Sequence, residues 1–307
     1  MTNRLQTHGV LITFRRPEAL DLHLARLESQ TMRLTSLLVV DNDNDPTTTK
    51  QIIDRYPGAA DEILYLGVDD NPGPAGGIAA GIDAVLDLRA NDDWLVLLDD
   101  DDPPRTDDTL EVLAGAAEEL STSHTGVGGV GLWGARLQRN GRLRSATGID
   151  PEEVIYLPGS AIPHYHIGTL REAGGPDPTL FFGFDDLDLG LAFERVNASL
   201  WSGGFARELG LSAMVDNRTV SPSVSDATWR RYYSLRNLVI ILRRNRRTSG
   251  AFAMSFLAGI AKPLLNLPFS PRLALQNLRL NIVALRDGWR GETGKSLDPV
   301  DLPGWVR

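Results

Sequence analysis

Four carboxylates stand in a row at Asp99-Asp100-Asp101-Asp102, directly after the apolar run Trp94-Leu95-Val96-Leu97-Leu98. Packing carboxylates together costs free energy unless a cation offsets the repulsion. An all-oxygen donor set suits a hard divalent ion, Mg2+ or Mn2+, with phosphates completing the shell. A solvated acidic loop after a core strand is the plainer alternative. A second acidic cluster, Asp185-Asp186-Leu187-Asp188, follows Phe181-Phe182-Gly183-Phe184. Partial burial and neighbouring charge tune such a carboxylate into a general base. Acids opening a helix also simply answer its dipole.

Three further segments carry polar chemistry. Asp41-Asn42-Asp43 ends an apolar run. Its carboxylate could accept hydrogen bonds from a nucleobase or ribose, or close an Asx turn. Asn71-Pro72-Gly73-Pro74-Ala75-Gly76-Gly77 joins a strand to a helix. Its glycines would let backbone approach a ligand, or let the helix pack closely. Arg15-Arg16-Pro17 could meet phosphate or base, or be an exposed basic pair. His164-Tyr165-His166 is either a metal pair or a strand alternation beside a pocket. His8, His23 and His124 read as surface residues. The chain has no cysteine, no Gly-x-Ser-x-Gly elbow and no His-Glu-x-x-His helix. Thiolate chemistry, a hydrolytic triad and a zincin site are therefore disfavoured.

The elements that must position these residues alternate. Strands are expected at Gly9–Phe14, Leu37–Val40, Glu62–Leu66 and Trp94–Leu98. Helices are expected at Pro17–Gln30, around Thr49–Tyr56, and from about Gly76 to Leu88. Strands buried on both faces and alternating with helices imply βαβ units and a parallel sheet. Right-handed crossovers gather the loops Thr13–Arg16, Asp41–Asp45, Asn71–Gly77 and Asp99–Asp102 on one edge, where ligands bind in open α/β sheets. Gly126–Leu143 reads as strand and turn. After Trp229 the chain reads as helices at Tyr232–Arg244, Phe252–Leu265 and Arg272–Asp287.

Length and charge bound the rest. The 307 residues are 42% hydrophobic and 23% charged, which suits a globular chain of one large or two intimate domains. The net charge of −9 argues against nucleic-acid binding. The charge is unevenly placed, with 14 basic and 4 acidic residues from Arg230 onward and 17 basic and 36 acidic before it. The C-terminal part is thus expected to face something anionic. The apolar run Ala251–Ala261 falls short of the roughly 20 residues that span a bilayer. A cytoplasmic protein, in peripheral contact with the inner membrane face, is the expectation.

Taken in order, these pieces resemble the family-2 glycosyltransferases of GT-A fold. The residues that carry the resemblance are Val10–Pro17, Leu38–Asn42, Asn71-x-Gly73-x-Ala75-Gly76-Gly77, Asp99-Asp100-Asp101, Gly174–Asp177, Phe184–Leu189 and Tyr232-Tyr233-x-x-Arg236-Asn237. Arg15-Arg16-Pro17, the Ala-Gly-Gly loop and the triple aspartate are similar to galactofuranosyl and rhamnosyl transferases of actinobacterial cell-wall assembly. The resemblance implies an α/β fold with a mixed, mainly parallel, Rossmann-like sheet flanked by helices. It implies a GT-A domain over 1–228, with a nucleotide-binding half (1–102) and an acceptor half (103–228). A basic helical region over 229–307 follows.

The resemblance also implies roles. Thr13, Arg16 and Asp41 would hold base and ribose, and Asn71, Gly76 and Gly77 would line the nucleotide. Asp99 and Asp100 would face the nucleotide, and Asp99 and Asp101 would hold Mg2+ or Mn2+ on its diphosphate. Asp186 would be the catalytic base, with Asp185 and Asp188 orienting it or the sugar. The reaction implied is inverting, metal-dependent hexose transfer from a UDP- or dTDP-sugar to a glycan or polyprenyl-diphosphate-linked acceptor. Oligomers of the chain are compatible with this. Relatives often add a histidine ligand in the stretch aligned with Asp216–Pro222, which here contains none. Asp216, Asn217 or water would take its place. A nucleotide-binding scaffold without activity, or a sugar-1-phosphate nucleotidylyltransferase, are the alternatives; the Gly-rich Arg/Lys loop of the latter is missing.

Overall fold

The structure is a computed structural model that describes residues 6–146, 150–210 and 228–298. Strands β1 (Thr7–Thr13), β2 (Leu34–Asp41) and β4 (Trp94–Asp99) are almost wholly buried, while β3 (Ala60–Gly67) is half-buried. Alternation splits their side chains between two cores. Leu11, Val39, Val96 and Leu98 face α1 (Pro17–Glu28) and α4 (Thr109–Ser123). Val10, Ile12, Leu38, Val40, Leu95 and Leu97 face Ile82 and Val85 of α3 (Gly73–Leu88). Continuous apolar runs are what a sheet covered on both sides requires. Helix α2 (Pro46–Ile53) starts where the Asp45 carboxylate accepts from the Thr48 N–H at 3.2 Å.

The second half extends the same sheet. It contributes β5 (Val127–Gly131), β8 (Glu152–Val154), β9 (His164–His166) and β10 (Ser199–Ser202). The order is β3-β2-β1-β4-β9-β5-β10-β8, with β6 (Ala135–Leu137) and β7 (Leu143–Ser145) forming a separate hairpin. Pairs β1·β2, β1·β4, β2·β3 and β5·β10 are parallel. The three-residue β9 runs antiparallel to both neighbours and joins the two halves. Short helices α5 (Ile167–Ala173), α6 (Asp185–Arg195) and α7 (Phe205–Glu208) connect these strands.

The C-terminal helices are α8 (Thr228–Arg244), α9 (Thr248–Met254), α10 (Lys262–Leu265) and α11 (Pro271–Arg290), with a π-helical segment over Ser255–Ala261 joining α9 to α10. Helix α8 does not stand apart from the sheet domain. Its Leu238, Ile241 and Leu242 share a core with Ala75 of α3 and with Leu187 and Leu191 of α6.

Two histidines depart from the expected surface placement. His8 and His23 are 1% and 0% exposed. His8 Nδ1 lies 2.8 Å from Ser36 Oγ and Nε2 lies 3.3 Å from Asp93. His23 follows the Leu20, Leu24, Leu27 face of α1 into the core, because position 23 lies within that stripe. A lone histidine carries no periodic signal by which to foresee this.

Candidate active site

The carboxyl ends of the first strands meet at one sheet edge, and register fixes who stands beside whom. Thr13 pairs with Asp41, and Ile12 pairs with Asp99. The Asp100 N–H donates to the Ile12 carbonyl at 3.3 Å, and Asp102 N–H closes a turn onto the Asp99 carbonyl at 3.0 Å. The acidic run is thus a tight turn continuing β4. One oxygen from each of Asp99, Asp100 and Asp101 lies within 4.8 Å of the others.

The three carboxylates sit differently. Asp100 is buried, accepting from Thr13 Oγ1 at 2.8 Å and from Arg16 Nη1 at 3.0 Å. Arg16 Nη1 also reaches Asp101, at 2.6 Å. Desolvation raises Asp100, while Thr13 and Arg16 pull it back down. Asp99 is pushed up to about 7, first by desolvation and then by repulsion from Asp101, Asp100, Asp102 and Asp185. The repulsive part of that rise is what a bound cation would relieve. The donor set is all oxygen, compact and under-neutralised. It fits a hard divalent cation, with Asp99 and Asp101 the more open ligands.

The second acidic cluster faces the first. Asp185, Asp186 and Asp188 occupy the first turn of α6. Asp186 is raised well above the ordinary range by burial and by the charges of Asp185 and Asp99, against a bond from the Gly159 N–H. Asp185 is pushed up to about 6, chiefly by burial. The link between the clusters is the 3-10 turn Gly159–Ala161. A Cβ on Gly159 would stand 3.7 Å from Asp99 Cβ and Oδ2, while its N–H serves Asp186. Below them lies Tyr165, fully buried, with no hydrogen-bond partner for its hydroxyl among the described residues. Burial and then the Asp186 and Asp185 charges hold that phenol well above its ordinary value. Gly159 belongs to no sequence pattern that would single it out, and Tyr165 enters only as the residue between two histidines.

Asp188 has a different job. It accepts the Asp177 N–H at 2.9 Å and so fixes the loop entering α6. That loop is strained, since Phe181 and Phe184 take φ of +65° and +64° around Gly183. Helix α8 holds it. Asn237 Nδ2 reaches the carbonyls of Leu180, Phe182 and Gly183, each at 2.9 Å, and the buried Arg236 adds a 2.9 Å bond to Leu180.

The remaining expected nucleotide residues are mostly committed to the scaffold. Asp41 accepts from Asp43 N, Asp45 N, Thr49 Oγ1 and Tyr65 OH at 2.9 to 3.3 Å, which is the turn-closing alternative. Asn71 Oδ1 accepts from Gly73 N at 3.2 Å. A Cβ on Gly76 would fall 2.4 Å from Pro72 Cβ, and one on Gly77 2.6 Å from Asn42 Oδ1. These glycines let α3 sit down on its neighbours. Asn42 Oδ1 is itself buried without a hydrogen-bond partner among the described residues. His164 bonds the Ile162 carbonyl and His166 caps α5, so neither joins the acidic cluster. Asp216 and Asn217 lie outside the described residues.

The first half of the chain resembles known proteins. The family model described as Glycosyl transferase family 2 matches residues 10–141. Residues 10–141 are thus similar to a family-2 glycosyltransferase domain. Strands β2, β3 and β4 and the Asp99–Asp101 turn lie inside that match, and the Asp185–Asp186 pair lies beyond it. The domain is 38% identical over 125 residues to galactofuranosyltransferase GlfT1 of Mycolicibacterium smegmatis, covering 41% of this chain and 37% of that protein. It is 36% identical over 114 residues to GlfT1 of Mycobacterium tuberculosis, covering 37% and 36%. The match thus spans little more than a third of either relative. Among solved structures, the mannosyltransferase PcManGT of Pyrobaculum calidifontis, in complex with GDP-Man and Mn2+, superposes with a TM-score of 0.55 at 15% identity. That superposition covers 94% of this chain and 76% of that one. GalNAc-T7 with UDP, GalNAc and Mn2+ gives 0.52 at 11% identity, covering 87% and 58%. The fold of the chain is GT-A.

Proposed function

We propose that this protein is an inverting glycosyltransferase that moves a hexosyl group, galactofuranosyl in the first instance, from a UDP- or dTDP-sugar to a glycan or lipid-linked glycan hydroxyl. The observation that carries the proposal is the opposition of two carboxylate clusters across Gly159. One is suited to a diphosphate-bound cation and one to a proton. The galactofuranosyl assignment follows the names of the mycobacterial relatives.

Asp99 and Asp101 would hold Mg2+ or Mn2+, with Asp100 kept in register by Thr13 and Arg16. When bound, that ion supplies charge neutralisation for the departing nucleoside diphosphate. Asp186 accepts the proton of the acceptor hydroxyl, whose oxygen attacks the anomeric carbon from the face opposite the diphosphate. The new C–O bond forms as the bond to the phosphate oxygen breaks. Asp186 is suited to this because its site favours the protonated carboxyl that the step produces. Tyr165 and Asp185 bound the base from below and beside.

The test is Asp186→Asn. Its transfer rate is expected to fall by about a thousandfold or more while calorimetric binding of UDP with Mn2+ persists. Near-normal transfer by this variant removes Asp186 from the role of base.

A further inference from the structure

Large apolar side chains are exposed at nine described positions, and seven of these lie between Phe252 and Ile282. Phe252 and Phe256 are each 62% exposed, Leu265 74% and Phe269 84%. They sit on the helix Thr248–Leu265 and the turn after it. The next helix continues the theme. Arg272, Leu275, Arg279, Ile282 and Arg286 of α11 are all exposed. Their spacing of three and four residues puts them on one stripe. The opposite stripe, with Ala274, Leu280 and Ala284, is buried.

The two helices form one antiparallel hairpin. Asn281 Nδ2 reaches the Ala258 and Gly259 carbonyls at 3.3 and 2.8 Å, within the π-helical segment. Trp289 Nε1 donates to Ser255 Oγ at 3.1 Å, and its ring lies 4.5 Å from that of Phe252. Residues 248–290 hold five basic side chains and a single acidic one, Asp287, which pairs with Arg286.

We propose that this hairpin is a membrane-docking surface that lies in the plane of an anionic bilayer, with its phenylalanines inserted and its arginines at the headgroups. Isolated exposed apolar residues need no explanation, but a contiguous set rimmed by one sign of charge does. The charge selects the partner. A twofold contact with a second copy would set Arg272, Arg279 and Arg286 against like charges. An anionic lipid surface attracts the same three residues. The helix Thr248–Leu265 is long and apolar enough to cross a membrane, but its bonds to α11, and the bond of Asp287 to Tyr232 of α8, favour a flat placement. The inference is independent of the sugar, the metal and the base.

Flotation of the full chain with extruded vesicles tests it. The protein should float with phosphatidylcholine vesicles containing phosphatidylglycerol, weakly with phosphatidylcholine alone, and less as salt rises. The variant Phe256→Ser/Leu265→Ser/Phe269→Ser should lose at least about tenfold in partitioning. Arg272→Gln/Arg279→Gln should lose roughly tenfold on the anionic vesicles only. Thermal melts keep the comparison to folded proteins. Equal binding to both vesicle types, or undiminished binding by the triple variant, overturns the proposal. Retention after alkaline carbonate washing assigns the hairpin to a spanning role instead and also overturns it. So does a triple variant that dissociates an oligomer while still floating.

Discussion

Arg16 already supplies the acidic loop with one positive charge. Its guanidinium spans Asp100 and Asp101 at the place where the carboxylates could also hold a divalent ion. Arg16 and the ion therefore compete when no diphosphate is present. The variant Arg16→Gln is expected to bind Mn2+ severalfold more tightly than the parent in the absence of nucleotide, about the worth of a half-exposed ion pair. Calorimetric titration reads this directly, and unchanged affinity would separate Arg16 from the metal loop. His23 makes a second case, with the opposite sign of charge. Burial holds its imidazole down at about 4 against an ordinary 6.5. The unfolded chain therefore takes up this proton first as pH falls. The stability it confers is complete above 6.5 and is lost down to about 4. His23→Leu should melt with a shallower decline across that window than the parent, and parallel curves would exclude the group. At this scale the sequence shows the aspartates, because consecutive carboxylates are improbable without a purpose. It does not show whether Asp41 serves a ligand or a turn. In the fold, four donors converge on it and give it a turn-closing role.

The loop Phe181–Phe184 is the element on which Asp186, the proposed base, depends. Two phenylalanines in the left-handed region bring the chain into α6 at the angle that points Asp185 and Asp186 toward Asp99. Such backbone persists only where its surroundings impose it. Here α8 does so from more than fifty residues away in sequence, through Asn237. Asn237→Ala leaves three carbonyls without that donor and should cost about 2 kcal/mol or more. A denaturant midpoint measures the loss. Transfer should fall further than nucleotide binding, because the strands that carry the Asp99 turn are untouched. Elements differed in how plainly the sequence announces them. The four leading strands are unbroken apolar runs between turn residues, and each is found within about three residues of its expected place. Strand β9 has three residues, two of them histidine, and no period can be read from so few. The Ala-Gly-Gly loop is legible as glycine-rich, but close packing and ligand approach need the same residue type.

Over the whole molecule, the proton and the proposed metal would act on the same charge surplus. The metal-free fold binds the Asp99 proton more tightly than the unfolded chain does, about 7 against 3.8. That contribution to stability is complete below 3.8 and is lost as pH rises through about 7. Mn2+ should restore it where the proton has gone. At a hundredfold excess over Kd the gain is about 2.7 kcal/mol. The melting temperature should therefore rise with Mn2+ above about pH 7.5 and hardly respond near pH 5. A shift independent of pH would place the ion elsewhere. The charge split between the acidic sheet domain and the basic helices is legible from composition alone. The packing of α8 into the core beside α3 and α6 is not, because its apolar positions say only that something covers them.

Strand β9 has a consequence for how the chain comes into being. The innermost seam of the sheet, between β4 and β5, is filled by residues 164–166, which are synthesised after both of its walls. Until they emerge, the edges of β4 and β5 stand unpaired, as templates for any passing strand. A fragment cut at residue 141, where the family match ends, would keep those two raw edges permanently. It would be an aggregation-prone piece, not a smaller enzyme, and excision for expression belongs no earlier than the end of α8.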